Sequence, residues 1–329
     1  MSDGQVSDGV MSAVKSSGRT TFVEMPMLSD RLGAEVVLAV ESFQPTGSFK
    51  LRAAEYVVRH IPHPAVIAAS SGNFGAAMAY ACRAAGKRCT VVMPANSVVV
   101  KIEAVRRLGA TVDLVDTTRT PRATRVAELA AADPTAYIAS AYDDELVIAG
   151  NASLGRELAA CNTARRAAGR APLDAVVVPV GGGGLAAGLV QGLCECGDTT
   201  AVVGAEPLMA NDAAESLRQG RIVVSDGERQ TIADGARTAS LGRANWAILR
   251  TGLAGIVEVP EATIGAALRL LFSAANLKVE PTGALAVGAV LADRPRFAGR
   301  RVCCIVSGGN ADPTLFRTLL EEPQGAAGT

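Results

Sequence analysis

The sequence predicts an α/β fold built on mainly parallel sheets. Three observations carry this. Short apolar runs that read as buried strands alternate with helix-period segments along most of the chain. Apolar residues make up 49% of the 329 residues and aromatics only 4%, so the core is Ala, Val, Leu and Ile, as suits strands buried on both faces. Several strands also run into glycine- and serine-rich turns that open a helix, where open parallel sheets bind ligands.

The first strand, Val36 to Val40, leads into Glu41-Ser42-Phe43-Gln44-Pro45-Thr46-Gly47-Ser48-Phe49-Lys50. Lys50 closes a Pro-Thr-Gly-Ser turn and opens an amphipathic segment, Leu51 to His60. A lysine at such a junction can be held still and partly desolvated, which lowers its pKa and frees the amine to form a Schiff base. Taken alone, it reads equally as a surface lysine at a helix start.

The next strand, Val66 to Ala69, ends in Ser70-Ser71-Gly72-Asn73-Phe74-Gly75 before a helix over Ala76 to Ala85. Small polar residues there expose backbone N–H groups and the helix dipole to an anion such as a carboxylate. An ordinary strand–helix turn is the plain alternative. Strand Cys89 to Met93, helix Ser97 to Leu108, strand Thr111 to Val115 and helices Thr124 to Ala132 and Gly150 to Ala160 follow.

Strand Ala175 to Val178 then meets Gly181-Gly182-Gly183-Gly184 and a helix over Leu185 to Gly192. Four successive glycines let N–H groups converge on one phosphate without side-chain clash. A flexible turn would also use glycines, but the place between strand and helix favours phosphate. No Gly-Lys-Ser/Thr ending follows, so this is not a nucleoside-triphosphate loop. After strand Ala201 to Ala205, Glu206, the Ala210 carbonyl and Asp212 can supply three oxygens to Mg²⁺ or Ca²⁺, unless this is a solvated acidic loop. The last strand, Val302 to Val306, ends in Ser307-Gly308-Gly309-Asn310, where a serine can aim its hydroxyl into a crevice.

Together these runs resemble the fold-type II pyridoxal-phosphate enzymes, and among them the serine/threonine dehydratase–serine racemase family. Gly204-Ala205-Glu206-Pro207, Thr231-Ile232-Ala233-Asp234-Gly235 and Val279-Glu280-Pro281-Thr282-Gly283-Ala284 strengthen the resemblance, which runs from Glu24 to Asp312 in family order. It implies two open, mainly parallel twisted sheets flanked by helices, with the cofactor in the cleft between two domains. Residues 1–62 and 146–329 would form the large domain and 63–145 a small mobile one.

The resemblance implies Lys50 as the Schiff-base lysine, and Phe49, Asn73, Gly181 to Gly184, Gly235, Glu280 and Ser307 as further cofactor contacts. Ser70, Ser71, Gly72, Asn73 and Phe74 would hold the substrate. Ser71 also matches the second acid/base of serine racemases. Glu206, Ala210 and Asp212 match a structural cation site. The implied reaction is β-elimination on a serine- or threonine-like amino acid, giving a keto acid and ammonia. Cysteine-synthase-like β-replacement and racemisation are the alternatives, and a homodimer is implied.

The chain departs from the family pattern in four places. Phe74 replaces a histidine, Ala39 a lysine, Arg52-Ala53 an Arg-Gly pair, and Gly150-Asn151-Ala152-Ser153 a Gly-Gln-Gly-Thr run. These changes are expected to reshape the substrate wall and leave the cofactor machinery intact.

Composition narrows the partners. Lysine plus arginine equals aspartate plus glutamate at 32 each, so no net charge draws the chain to nucleic acid. No apolar run reaches the ~20 residues of a membrane span. Seven cysteines at irregular spacings read as thiols, which implies a reducing cytoplasm. Two histidines, His60 and His63, are too few for a multi-histidine metal centre. The polar segments 1–20 and 321–329 are expected to be disordered arms.

Overall fold

Strands whose residues alternate between two buried faces build both sheets of the fold. The computed structural model describes residues 17–321, apart from 71, 98 and 228 and the side chain at 100. The strands among them are β1 (Thr21–Glu24), β2 (Glu35–Val40), β3 (Ala65–Ala69), β4 (Arg88–Pro94), β5 (Thr111–Val115), β6 (Ala136–Ala139), β7 (Ala175–Pro179), β8 (Ala201–Pro207), β9 (Ile256–Val259) and β10 (Arg301–Val306).

The larger sheet has the order β1-β2-β10-β7-β8-β9, and only β1 runs antiparallel. Its residues divide by parity. Val36, Leu38 and Val40 enter one apolar cluster with Val302, Cys304 and Val306, while Val37 and Ala39 enter the cluster on the other face with Cys303 and Ile305. Period-2 alternation between two dry faces is what a helix-covered parallel sheet requires. The smaller sheet, β5-β4-β3-β6, is wholly parallel. Val66 and Ala68 face a cluster that also takes Leu51, Ala54, Val57 and Val58 from the helix Lys50–His60. The lysine-bearing helix packs between the helices Asn73–Ala84 and Glu145–Ala167.

The 23-residue helix Glu145–Ala167 returns the chain to the larger sheet; Asp144 caps it by accepting from Leu146 N at 2.7 Å. It packs so closely on the helix Gly184–Glu195 that a Cβ on Gly192 would run into the Ala152 carbonyl oxygen. Gly150 to Ser153 therefore lie inside a packed helix. The expectation that Asn151, Ala152 and Ser153 form part of a substrate wall is corrected accordingly.

The expected disorder is also corrected in part. Ser17 donates to Glu55 through N and Oγ at 2.8 and 2.9 Å, and Thr20 N donates to Glu157 at 2.6 Å. Glu321 closes the helix Pro313–Glu321. The rest of the expected arms, 1–16 and 322–329, lies outside the described residues. Among the described residues no helix is long and apolar enough to cross a membrane.

Candidate active site

Three neighbouring parallel strands, β2, β10 and β7, deliver three loops to one edge of the larger sheet. The loop after β2 carries Lys50, the turn after β10 carries Ser307, and the loop after β7 carries the glycines. The first two loops are stitched together. Phe49 N donates to Ser307 O at 3.0 Å and Gly309 N to Gly47 O at 2.9 Å. Gly47 has φ +76°, and a Cβ there would overlap the Asn310 side chain, so only glycine fits the turn. Lys50 is thereby placed beside the Ser307 turn, where Ser307 is buried.

The glycine loop is a cradle. Gly181 and Gly183 take φ +51° and +95°, and the helix Gly184–Glu195 starts at its end. A Cβ on Gly182 would fill the space of the Tyr142 ring, and one on Gly181 would press 3.1 Å from Ala236 Cα, beside Gly235. Gly235 N in turn donates to Thr282 Oγ1 at 3.0 Å. Backbone without side chains at a helix N-terminus suits a phosphate.

Lys50 Nζ donates to Ala141 O at 2.7 Å and lies 4.9 Å from the Phe49 ring centroid and 5.7 Å from that of Phe74. Burial pulls the amine down to about 8, partly opposed by the Glu280 charge. Glu280 is itself pushed up to about 7, by burial first and then by Asp234. It accepts from Asn73 Nδ2 at 2.7 Å, and Asn73 Oδ1 accepts from Asn310 Nδ2 at 2.8 Å. Asn73 opens the helix Asn73–Ala84, with Gly72 N donating to Ser70 Oγ at 3.2 Å just before it. Phe74 is buried in the apolar cluster of the smaller sheet, with its ring toward Lys50. Ser71, expected as an acid/base and substrate contact, lies outside the described residues.

A buried ion network fixes the first turn of the lysine helix. Arg52 Nε and Nη2 donate to both oxygens of Glu41 at 2.7 and 2.9 Å, and Nη1 reaches Glu157 and Ser153 at 3.0 Å each. Arg52 and Glu41 are almost wholly buried, so a fork-to-fork pair is the form in which such charges persist.

At the end of β8 the second expected site is a pair of carboxylates. Glu206 accepts from Ala213 N and Ala214 N at 3.2 and 2.9 Å. Asp212 is fully buried, and neither of its oxygens has a hydrogen-bond partner. Burial pushes Asp212 up to about 6, and burial with the Asp212 charge pushes Glu206 well above the carboxylate range. Ala210 is buried between them in sequence. Among the described residues no group of three or more His, Cys, Asp or Glu side chains is arranged to hold a metal ion.

Several site residues escaped the sequence reading. Asn310 stood inside a quoted run, but only the fold puts its amide on Asn73. Tyr142 seats on the glycine loop, and Asn245 Nδ2 donates to both Tyr142 O and Gly182 O at 3.0 and 2.7 Å. No sequence signal marks the Tyr142–Asn245 pair, which is 103 residues apart.

A family model described as pyridoxal-phosphate dependent enzyme matches residues 15–308. The chain belongs to that family. It is 33% identical over 309 residues to an L-threo-3-hydroxyaspartate ammonia-lyase from a Pseudomonas species, covering 93% of this chain and 94% of the relative. It is 30% identical to the serine racemase of Bos taurus, covering 94% and 92%. Among solved structures, the T.th. threonine deaminase superposes with a TM-score of 0.84 at 37% identity, covering 90% of this chain and 94% of that one. The residues present fit the family's cofactor. Tyr142 seats on a glycine loop with no room for side chains, and the adjacent Ala141 carbonyl accepts from the buried Lys50 amine, whose pKa is lowered to about 8.

Proposed function

We propose that this chain is an ammonia-lyase that removes the α-proton and β-hydroxyl of a β-hydroxy amino acid, giving a keto acid and ammonia. The observation that carries this is Lys50: a buried amine brought down to about 8, in the cleft beside the glycine cradle. The ammonia-lyase and deaminase relatives support the reaction class.

Pyridoxal phosphate, when bound, supplies the electron sink that makes the α-proton removable. Gly181 to Gly184 and the helix start at Gly184 would hold its phosphate. Phe49, Asn73, Gly235, Glu280 and Ser307 would surround its ring. Ser307 offers a neutral hydroxyl, which favours elimination over reactions that need a deeper sink. Lys50 Nζ, neutral above about 8, takes the proton from the substrate's Cα. The N–H groups of Asn73 and Phe74, at the start of helix Asn73–Ala84, would hold the substrate carboxylate.

In this reading residues 63–145 move against 1–62 and 146–329. The smaller sheet lies wholly within 65–139. Polar links cross the cleft, such as Lys101 to Asp234 at 3.6 Å. Glu206, Ala210 and Asp212 bind Mg²⁺ or Ca²⁺, supported by the two orphaned oxygens of Asp212. The seven free cysteines fit a reducing cytoplasm, and a homodimer completes the proposal.

Racemisation is the second reading, favoured by the serine racemase relative. Keto acid and ammonia are measured together with inversion at Cα, on L-serine, L-threonine and bulkier β-hydroxy amino acids. Keto acid and ammonia in equal amounts support the lyase. Inversion without ammonia supports the racemase, and neither from any substrate refutes both.

A further inference from the structure

A chamber of about 880 Å³ borders Ala141 and Tyr142 and is lined by none of the cofactor contacts. It lies at the carboxyl ends of β3 and β6, the neighbouring strands that also deliver the Ser70 loop and Ala141. Ala141 accepts the Lys50 amine at 2.7 Å, and Tyr142 rests on Gly182, so the chamber shares two walls with the reaction site.

Most of the remaining lining is apolar, with Ser140, Ser240, Asp143 and Arg243 set among it. Ala123, Val126 and Ala127 come from the helix Arg122–Ala132, Ile138 from β6, and Val224 and Leu241 from the larger unit. Ile138 and Val224 are 50% and 66% exposed, so large aliphatic surface faces the open space. Isolated exposed aliphatics are ordinary, but several lining one concave space beside a reactive amine are not.

The charges around it are balanced. Asp143 and Arg243 are the charged residues among the described lining, and both are exposed to solvent. Asp143 spends its carboxylate on Arg243 N and Ala244 N at 3.0 Å each. The second cavity near Asn73, about 490 Å³, is lined by Lys101 and Arg237 against Asp234, Glu261, Glu280 and Asp312. Lys101 already faces Asp234 at 3.6 Å, and Arg237 donates to Thr231 O at 2.8 Å. By formal charge neither cavity carries an excess of cations for a second carboxylate: Asp143 offsets Arg243 in the first, and four carboxylates face Lys101 and Arg237 in the second.

From this geometry we infer that the site takes β-hydroxy amino acids with an apolar β-substituent larger than methyl, of branched-alkyl or aryl size. The inference rests on the ammonia-lyase reading above and narrows its substrate. It separates this chain from the hydroxyaspartate ammonia-lyase relative, whose named substrate carries a second carboxylate. For an aryl case the α-proton passes to Lys50, the Cβ–O bond breaks and the hydroxyl takes up one proton from solvent to leave as water, Lys50 later returning its proton to solvent. Water is regained in hydrolysis, so β-phenylserine yields phenylpyruvate and ammonia in balance.

The test uses the holoenzyme with L-serine, L-threonine, L-threo-3-hydroxyaspartate and L-threo-β-phenylserine, reading ammonia and keto acid. A single methylene in an apolar pocket changes kcat/KM by about 10- to 200-fold, so phenylserine should exceed threonine by at least about 10-fold. Hydroxyaspartate should fall below phenylserine by at least as much. Ala127→Leu narrows the chamber from the helix Arg122–Ala132, and should lower the phenylserine-to-serine ratio about 10-fold. Ammonia from serine, threonine or hydroxyaspartate with no preference for phenylserine overturns the chamber and leaves the lyase standing. A ratio unmoved by Ala127→Leu also overturns it. No ammonia from any of the four overturns the lyase reading, and the chamber's role with it.

Discussion

Asp212→Asn is expected to stabilise the cation-free protein at neutral pH and to remove its response to Mg²⁺. The carboxyl is raised from 3.8 to about 6 by burial. The folded state therefore holds this proton more tightly than the unfolded one. Stability is lost as pH rises from 3.8 to about 6, and the full cost is present above. That displacement corresponds to about 3 kcal/mol. Asparagine removes the charge but leaves an amide in a place that offers Asp212 no partner, costing about 1 to 2 kcal/mol. The net gain in chelator is about 1 to 2 kcal/mol. In the wild type, a cation at about 100 times its Kd should return about 2.7 kcal/mol. Urea midpoints with chelator, Mg²⁺ or Ca²⁺, at about pH 7.5 and about pH 5, measure both effects. The wild-type cation response should fade toward the lower pH, because a protonated carboxyl is no ligand. A variant that is less stable in chelator, or that still responds to the cation, refutes the reasoning.

Three further predictions follow from the site. Stripped of cofactor, the protein should take up pyridoxal phosphate faster as pH rises through about 8, because only the neutral Lys50 amine can attack. A flat rate across that range would contradict the buried, lowered amine. Ser307→Ala should weaken cofactor binding by about 1 kcal/mol, roughly fivefold in Kd by fluorescence titration. Gly192→Ala should lower stability by about 1 to 3 kcal/mol in urea, since its methyl meets the backbone oxygen of Ala152 and not a side chain that can swing away.

Much of the cofactor side was legible in the sequence because its signals are local. Strands β2, β3, β4, β5, β7, β8 and β10 carry apolar runs, and their turns carry the Lys50, Asn73, glycine and Ser307 residues next to them. The strands that went unread, β1, β6 and β9, are four residues each and lie at sheet edges. Half of β1 and one residue of β6 are exposed, which dilutes any period.

The substrate side was less legible. Asn151 to Ser153 fall in the helix the sequence predicts, yet their assignment to the substrate wall overlooked that the fold needs small residues there to let two helices touch. Asn151 Nδ2 donates to Gly184 O at 3.1 Å, and Ser153 Oγ accepts from Arg52, so both changed residues support the cofactor side from behind. Phe74 packs into the core of the smaller sheet, and Phe74→His would bury an imidazole there. The chamber is assembled from segments far apart in the chain, such as Ala123 and Leu241, and no local pattern records it.

The account rests on Lys50, and its most direct test is chemical. The chain has five lysines: Lys15, Lys50, Lys87, Lys101 and Lys278. Borohydride reduction of the protein reconstituted with pyridoxal phosphate, followed by peptide mapping, locates the pyridoxyl label. The account predicts one label per chain, on Lys50, and none when Lys50→Ala is treated alike. A label on Lys87, Lys101 or Lys278, or a Lys50→Ala protein labelled as fully as the wild type, would contradict it.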